Sequence, residues 1–297
     1  MKIKYDNQYE KWKECITNKE KKIFSRNWIR KDTLDYWRHQ RMLSPIKALI
    51  SKGDKWLTIG DGRYGTEANF LLECGVKAHA SDLNDELLKI SKDEGFIDEY
   101  SKQNGEELKF PDESFDYVLI KEALHHFPRP WIALSEAFRV CKKGVVLIEP
   151  NDQLSSGQNI FKLITFLLKK LKRIRTNIDD YNFEEVGNFI FTLNLREIEK
   201  FMLAMHFRNI AHVKINDFYI KGIEEIKTKN ISLKNKIISF ILKTIINIKN
   251  ILSILKLSEY SLISVFLMKT APDKKLKINL KKKNWTLKLL PENPYRK

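Results

Sequence analysis

Three groups of residues in this 297-residue chain could carry chemistry by their type and spacing. The first is WLTIGDGRYGTEANFL, residues 56–71, where an apolar run stops at Gly60-Asp61-Gly62 and a helical pattern starts near Gly65. Glycines there let backbone approach a ligand, and the N–H groups opening the helix face it, which is how an α/β sheet builds a nucleotide pocket. A plain tight turn is the other reading of the same residues. The second is Asp82, which closes a short strand over residues 76–81 about 20 residues beyond the glycines. A carboxylate at that strand end either accepts both hydroxyls of a ribose or caps the helix carrying Leu83, Leu87, Leu88 and Ile90. The third is the pair His125-His126, in KEALHHF, after a buried strand over residues 117–120. Ligands of open α/β sheets sit beyond the carboxyl ends of the strands, and a neutral imidazole near pH 7 accepts a proton there.

Four segments in register, IGDGRYG (59–65), SDLNDELL (81–88), NGEELKFPDESFDYVLIKEALHHF (104–127) and RVCKKGVVLIEP (139–150), resemble the class I S-adenosylmethionine-dependent methyltransferases of the type 11-like kind. They lie within residues 59–150, about a third of the chain. The resemblance implies an α/β, Rossmann-like doubly wound sheet of seven strands whose last two form an antiparallel hairpin, and S-adenosyl-L-methionine as cofactor. It implies contacts from Gly60, Asp61, Gly62, Gly65, Asp82, Leu83 and Lys121. It also implies that Asn104 meets the adenine amino group through its side-chain carbonyl, and that Gly105 or Glu106 offers a backbone N–H to a ring nitrogen. In this family an acidic residue usually stands two positions before the first glycine; here that residue is Thr58, and Asp61 is the expected substitute.

Stepping outward, 43% hydrophobic content supports one substantial core plus an accessory region. Cys15, Cys74 and Cys141 have neither CxxC nor metal-ligand spacing, so no disulfide framework and no metal site is expected. The charged start MKIKYDNQYEKWKE lacks an apolar h-region, so cytoplasmic residence is expected. The net charge of +16 is uneven: residues 1–150 hold 26 Lys+Arg against 25 Asp+Glu, leaving +15 to residues 151–297.

The spacing divides the chain into a helical N-terminal cover (1–50), a core (51–152), a basic amphipathic insertion (153–192), the second half of the sheet (193–270) and a basic tail (271–297). Tyr36, Arg38, His39 and Arg41 on the cover are candidates to face the site. Within the second half, residues 232–257 read as one helix between the final two strands, with a polar stripe at Lys236, Ser239, Lys243, Asn247, Asn250 and Ser253 turned to water. Five lysines argue against a bilayer span. A lid on the domain, a homodimer contact and a helix lying on a membrane surface all fit. The tail has one tryptophan, Trp285, and lacks the aromatic interleaving of a nucleic-acid platform.

The function expected from these residues is transfer of the methyl group of S-adenosylmethionine, with His125 or His126 as the base for a hydroxyl acceptor. A sugar, sugar phosphate or surface-glycan precursor in polysaccharide biosynthesis is the leading acceptor. A lipid or quinone at the membrane surface is the second. A cofactor-binding regulatory module without activity is the alternative from another class.

Overall fold

The computed structural model describes residues 10–295 apart from 12, 15–16, 153–182, 184–188 and 229–231. The basic insertion at 153–192 therefore lies mostly outside the described residues. Helices α1 (Lys19–Asn27) and α2 (Leu34–Leu43) precede strand β1 (Lys55–Ile59), α3 (Thr66–Glu73), β2 (Lys77–Asp82), α4 (Glu86–Asp93), β3 (Glu99–Lys102) and β4 (Phe115–Lys121). Then come α5 (Pro130–Val140), β5 (Cys141–Pro150), α6 (Leu195–Ala204), β6 (Asn209–Ile215), α7 (Leu233–Ile254), β7 (Leu262–Met268), α8 (Lys274–Lys282) and β8 (Thr286–Leu289).

The strands form one sheet in the order β3-β2-β1-β4-β5-β7-β6-β8. From β3 to β5 all pairs are parallel, while β7 lies antiparallel between β5 and β6. This is a doubly wound sheet with an antiparallel closing pair. Strands covered on both faces must be apolar throughout, and YVLI in β4, VVLI in β5 and LISVFLM in β7 are all buried. One face packs Phe70, Leu71, Leu88, Met42 and Ile46. The other packs Leu134, Phe138, Ile198 and Met202. Helix starts follow local chemistry: the Thr33 hydroxyl accepts the Tyr36 N–H at α2, and Asn194 and Glu197 cap α6 reciprocally.

Among the described residues the sheet has eight strands, one more than the seven expected. Residues 286–289 pair antiparallel with the outer edge of β6, which would otherwise present unpaired N–H and C=O groups. Just before them Trp285 is buried, and its Nε1–H donates to the Pro45 carbonyl at 3.0 Å. So the basic tail is folded onto the domain through α8, Trp285 and β8, rather than trailing from it.

Helix α7 is also turned differently from the expected orientation. The last part of its polar stripe faces inward: the buried Asn216 amide donates to Asn250 Oδ1 (3.1 Å) and Ser253 Oγ (3.0 Å). Lys249 donates to the Asp217 carbonyl at 2.7 Å, and Leu242 and Ile246 bury against Leu34, Ile223 and Ile226. Asn216 follows β6 with polar groups that no strand satisfies, so it claims the polar side of the helix. The apolar side is left outward.

Candidate active site

The strand order reverses between β1 and β4, and the crevice of an open α/β sheet forms at that switch point. There Gly60 leaves β1 with φ +78° and packs so closely on Ala123, after β4, that a Cβ would overlap the Ala123 Cβ. The cavity at this switch point is about 380 Å³. Gly60, Asp61, Asp82 and Leu83 line it, as do Asn104, Gly105, Glu106, Lys121, His125 and His126. The Gly62 N–H instead donates to Asp82 Oδ2 at 2.9 Å, and a Cβ on Gly62 would sit 2.5 Å from the Asp82 carboxyl carbon. Gly65 starts α3 with φ +62° against Ile97 and Leu88, away from the cavity.

Asp82 is buried, with Oδ1 taking the Asn84 N–H at 2.9 Å. Burial raises its carboxyl to about 6, against the pull of the N–H groups of Asn84, Gly62 and Leu83. A carboxylate has about four lone-pair sites, so the backbone contacts leave acceptor capacity toward the cavity. A nucleoside diol fits that chemistry.

At the other end of the cavity Thr58 stands where the family usually has an acid, and Asp61 reaches back to it. Asp61 Oδ2 accepts the Thr58 hydroxyl (2.8 Å) and the Ala68 N–H (2.9 Å), and Oδ1 accepts the Glu67 N–H (3.2 Å). Asp61 therefore also caps the start of α3. Burial and the neighbouring Glu67 push its carboxyl well above the usual range. Lys121 Nζ sits 3.1 Å from Glu67 and 2.9 Å from Glu122. Burial works against its charge, but the two carboxylates outweigh burial and raise it. Lys121 is thus a cation of the cavity wall, paired with two acids. Burial raises the carboxyl of Glu122, half-buried beside it, but Lys121 and Arg38 outweigh burial and hold it well below the usual carboxylate range.

The loop expected at the adenine end is held by bonds of its own. Asn104 Oδ1 accepts the Glu106 N–H at 3.0 Å, an Asx turn that uses the side-chain carbonyl inside its own loop. That bond also engages the Glu106 N–H, so of the two backbone donors expected there Gly105 is the one to test. The Glu106 carboxylate accepts the N–H and the Nε–H of Arg129, at 2.8 and 2.6 Å, and so anchors the loop.

The two histidines have ring centroids 3.9 Å apart. His125 Nδ1 lies 2.6 Å from Glu149 Oε2, and Glu149 is fully buried. Glu149 Oε1 takes the N–H groups of Ala123 (3.1 Å) and Leu124 (2.9 Å). The Phe191 N–H closes on the His125 carbonyl at 3.0 Å. A carboxylate at Nδ1 fixes the tautomer with the proton on that nitrogen, makes Nε2 the acceptor and stabilises the imidazolium that forms. Glu149 is a site residue the sequence reading missed. The signal was present, because a lone acid closing the apolar run GVVLI beyond a central strand is out of place in a core.

Helix α2 roofs the cavity. Arg38 lines it and pairs with Asp35 and Asp217, each at 3.0 Å. His39 is buried beneath; burial first, then Lys121 and Arg38, hold it well below its ordinary value, so it stays neutral. Tyr36 donates instead to Glu73 (3.2 Å) and Arg41 to the Asn216 carbonyl (3.2 Å), so neither serves the cavity. Among the described residues no group of His, Cys, Asp and Glu is arranged to hold a metal ion.

Residues 57–148 match the family model described as a methyltransferase domain. Among curated proteins the chain is 35% identical over 109 residues to a 27-O-demethylrifamycin SV methyltransferase of Amycolatopsis mediterranei, covering 34% of this chain and 38% of that one. It is 33% identical over 100 residues to a ubiquinone/menaquinone biosynthesis C-methyltransferase of Vibrio vulnificus, covering 31% and 38%. The chain thus spans less than half the length of these two relatives. Among solved structures it is similar to a Thermotoga maritima protein described as an S-adenosylmethionine-dependent methyltransferase, with a TM-score of 0.46, 19% identity, and coverage of 90% of this chain and 97% of that one.

Proposed function

We propose that this chain, whose residues 57–148 match the methyltransferase-domain family model, is an S-adenosylmethionine-dependent enzyme that methylates a hydroxyl of a small or carrier-linked acceptor, with His125 as the base. One observation carries the reading: the 2.6 Å contact between His125 Nδ1 and the buried Glu149, on the wall of a cavity that also presents Asp82. When bound, S-adenosylmethionine supplies a methyl group already activated by its sulfonium. The protein's part is alignment and proton removal. Asp82 holds a diol. The Gly60 and Gly105 backbone lies along the cavity wall, and Arg38 on α2 helps exclude water from above. His125 Nε2 would take the proton of an acceptor hydroxyl held at the cavity wall. Glu149 steadies the resulting imidazolium.

A sugar, sugar phosphate or surface-glycan precursor is the acceptor we put first; a lipid or quinone hydroxyl is second. The names of the two relatives, one an O- and one a C-methyltransferase, support methyl transfer and leave the acceptor open. Calorimetry with S-adenosylhomocysteine, followed by profiling of cell extract with methyl-labelled cofactor, tests the reading. Binding together with a labelled small product is expected. Absence of binding at high micromolar cofactor would overturn it, and binding with no labelled product in any extract would favour a regulatory module.

A further inference from the structure

Helix α7 presents its apolar residues to solvent. Leu233 (74% exposed), Ile237 (51%), Phe240 (71%), Ile248 (50%) and Ile251 (56%) recur at steps of three, four and eight, which keeps them on one side of an α-helix. Leu255, just beyond the helix, extends the row at 60% exposure. The opposite side is fixed to the domain by Asn250, Ser253, Lys249, Leu242 and Ile246. A contiguous outward apolar strip of this length marks a contact site on an otherwise polar surface.

Charge indicates what covers it. Projected at 100° per residue, exposed Lys236 and Lys243 border the strip on one side, and exposed Lys234 borders it on the other. An apolar stripe with lysines on both borders suits the boundary between acyl chains and anionic headgroups, where the stems bury and the ammonium groups stay in water. A second copy docked strip to strip would bring lysine borders together, at a repulsive cost. A membrane span is long enough by composition, but it would require α7 to abandon the bonds to Asn216 and Asp217 and to bury Lys243. The excess of +15 in residues 151–297 adds attraction to a negative surface.

We infer that α7 is a membrane-docking helix that lies flat on an anionic bilayer surface through the Leu233–Ile237–Phe240–Ile248–Ile251 side. Its inner residues pack on α2, where Leu34 is buried against it and Lys243 lies 5.2 Å from the Trp37 ring, and α2 also places Arg38 in the cavity wall. Docking therefore brings the cavity roof close to the lipid, although the docking itself does not depend on the methyl-transfer reading.

The test is flotation of the full chain with vesicles of equal parts phosphatidylcholine and phosphatidylglycerol, and with phosphatidylcholine alone, at low and high salt. The chain should float with the anionic vesicles at low salt and at least about tenfold less at high salt, because headgroup attraction is screened. The double variant Ile237→Asp, Phe240→Asp should stop floating while keeping its melting temperature and S-adenosylhomocysteine affinity, which separates loss of docking from loss of fold or site. Failure to float with anionic vesicles overturns the inference. So does flotation that survives the two aspartates, or binding that resists both salt and alkaline extraction, which would indicate insertion. A dimer in sedimentation that the two aspartates dissociate, without flotation, would assign the strip to a second copy.

Discussion

His125, in the loop after β4, and Glu149, at the end of the neighbouring β5, meet beside the switch-point crevice, Nδ1 to Oε2 at 2.6 Å, while the same carboxylate's other oxygen holds the loop that carries the histidine. One buried acid thus both orients the base and fixes the loop after β4. His125→Ala should lower turnover by about 100-fold or more at unchanged S-adenosylhomocysteine affinity. Glu149→Gln should retain the two backbone bonds through Oε1 but turn an amide N–H toward Nδ1, which puts the ring proton on Nε2 and should lower turnover by about 100-fold or more. His126→Ala should leave turnover within about threefold. Equal effects of the two alanine variants would remove His125 from the role of base.

Asp82 is the anchor for the diol. Charge-assisted hydrogen bonds contribute about 1.5–3 kcal/mol each, so Asp82→Ala should weaken S-adenosylhomocysteine binding by at least about tenfold in calorimetry. The pH dependence has a definite sign. Burial raises this carboxyl to about 6, so above that pH it is ionised and accepts, and affinity is flat. Below it protons compete, and affinity should fall by about tenfold per pH unit. Constant affinity from pH 8 to pH 5 would place the anchor elsewhere.

Gly62 is a sharper probe of the same contact. An alanine Cβ there would lie 2.5 Å from the Asp82 carboxyl carbon and 2.6 Å from Oδ2. Gly62→Ala should therefore displace Asp82, cutting cofactor affinity about as much as Asp82→Ala, and the double variant should be no worse than either single one. Additive losses would mean that the two residues act independently.

Trp285 tests whether the tail belongs to the fold. Its ring is buried and its Nε1–H is bonded to Pro45, so Trp285→Ala should cost about 3–5 kcal/mol in chemical denaturation. A loss under about 1 kcal/mol would show that β8 and α8 are loosely held.

The parallel half of the sheet was legible because its strands are apolar runs ending in glycine or a polar residue, at the places where a crevice requires them. Asp82 and the histidines could be placed from position alone. β3 was poorly marked, since EYSK is a half-exposed edge strand with no apolar run to betray it. β8 was invisible for a related reason: TLKL follows a lysine run, and its partner lies some 75 residues earlier, on the edge of β6. The orientation of α7 could not be read from its own letters, because either side can be buried, and the choice falls to Asn216 in another element. Tyr64 shows the limit of glycine spacing: it takes φ +65° in the crevice turn although it is not glycine, with its ring fully buried against Ile29 and Leu87.

The bond from Trp285 to Pro45 joins positions 240 residues apart, and the cover around α2 is completed by residues 223, 226, 242 and 246 as well. A ribosome releases residues 34–48 long before any of these partners. During synthesis β1 to β4 can therefore pair and form the floor of the crevice while the roof still lacks what it packs against. Closure of the pocket is thus timed by the far end of the chain, and a protein truncated before residue 216 would expose Leu34 and Trp37 to the quality-control machinery of the cell.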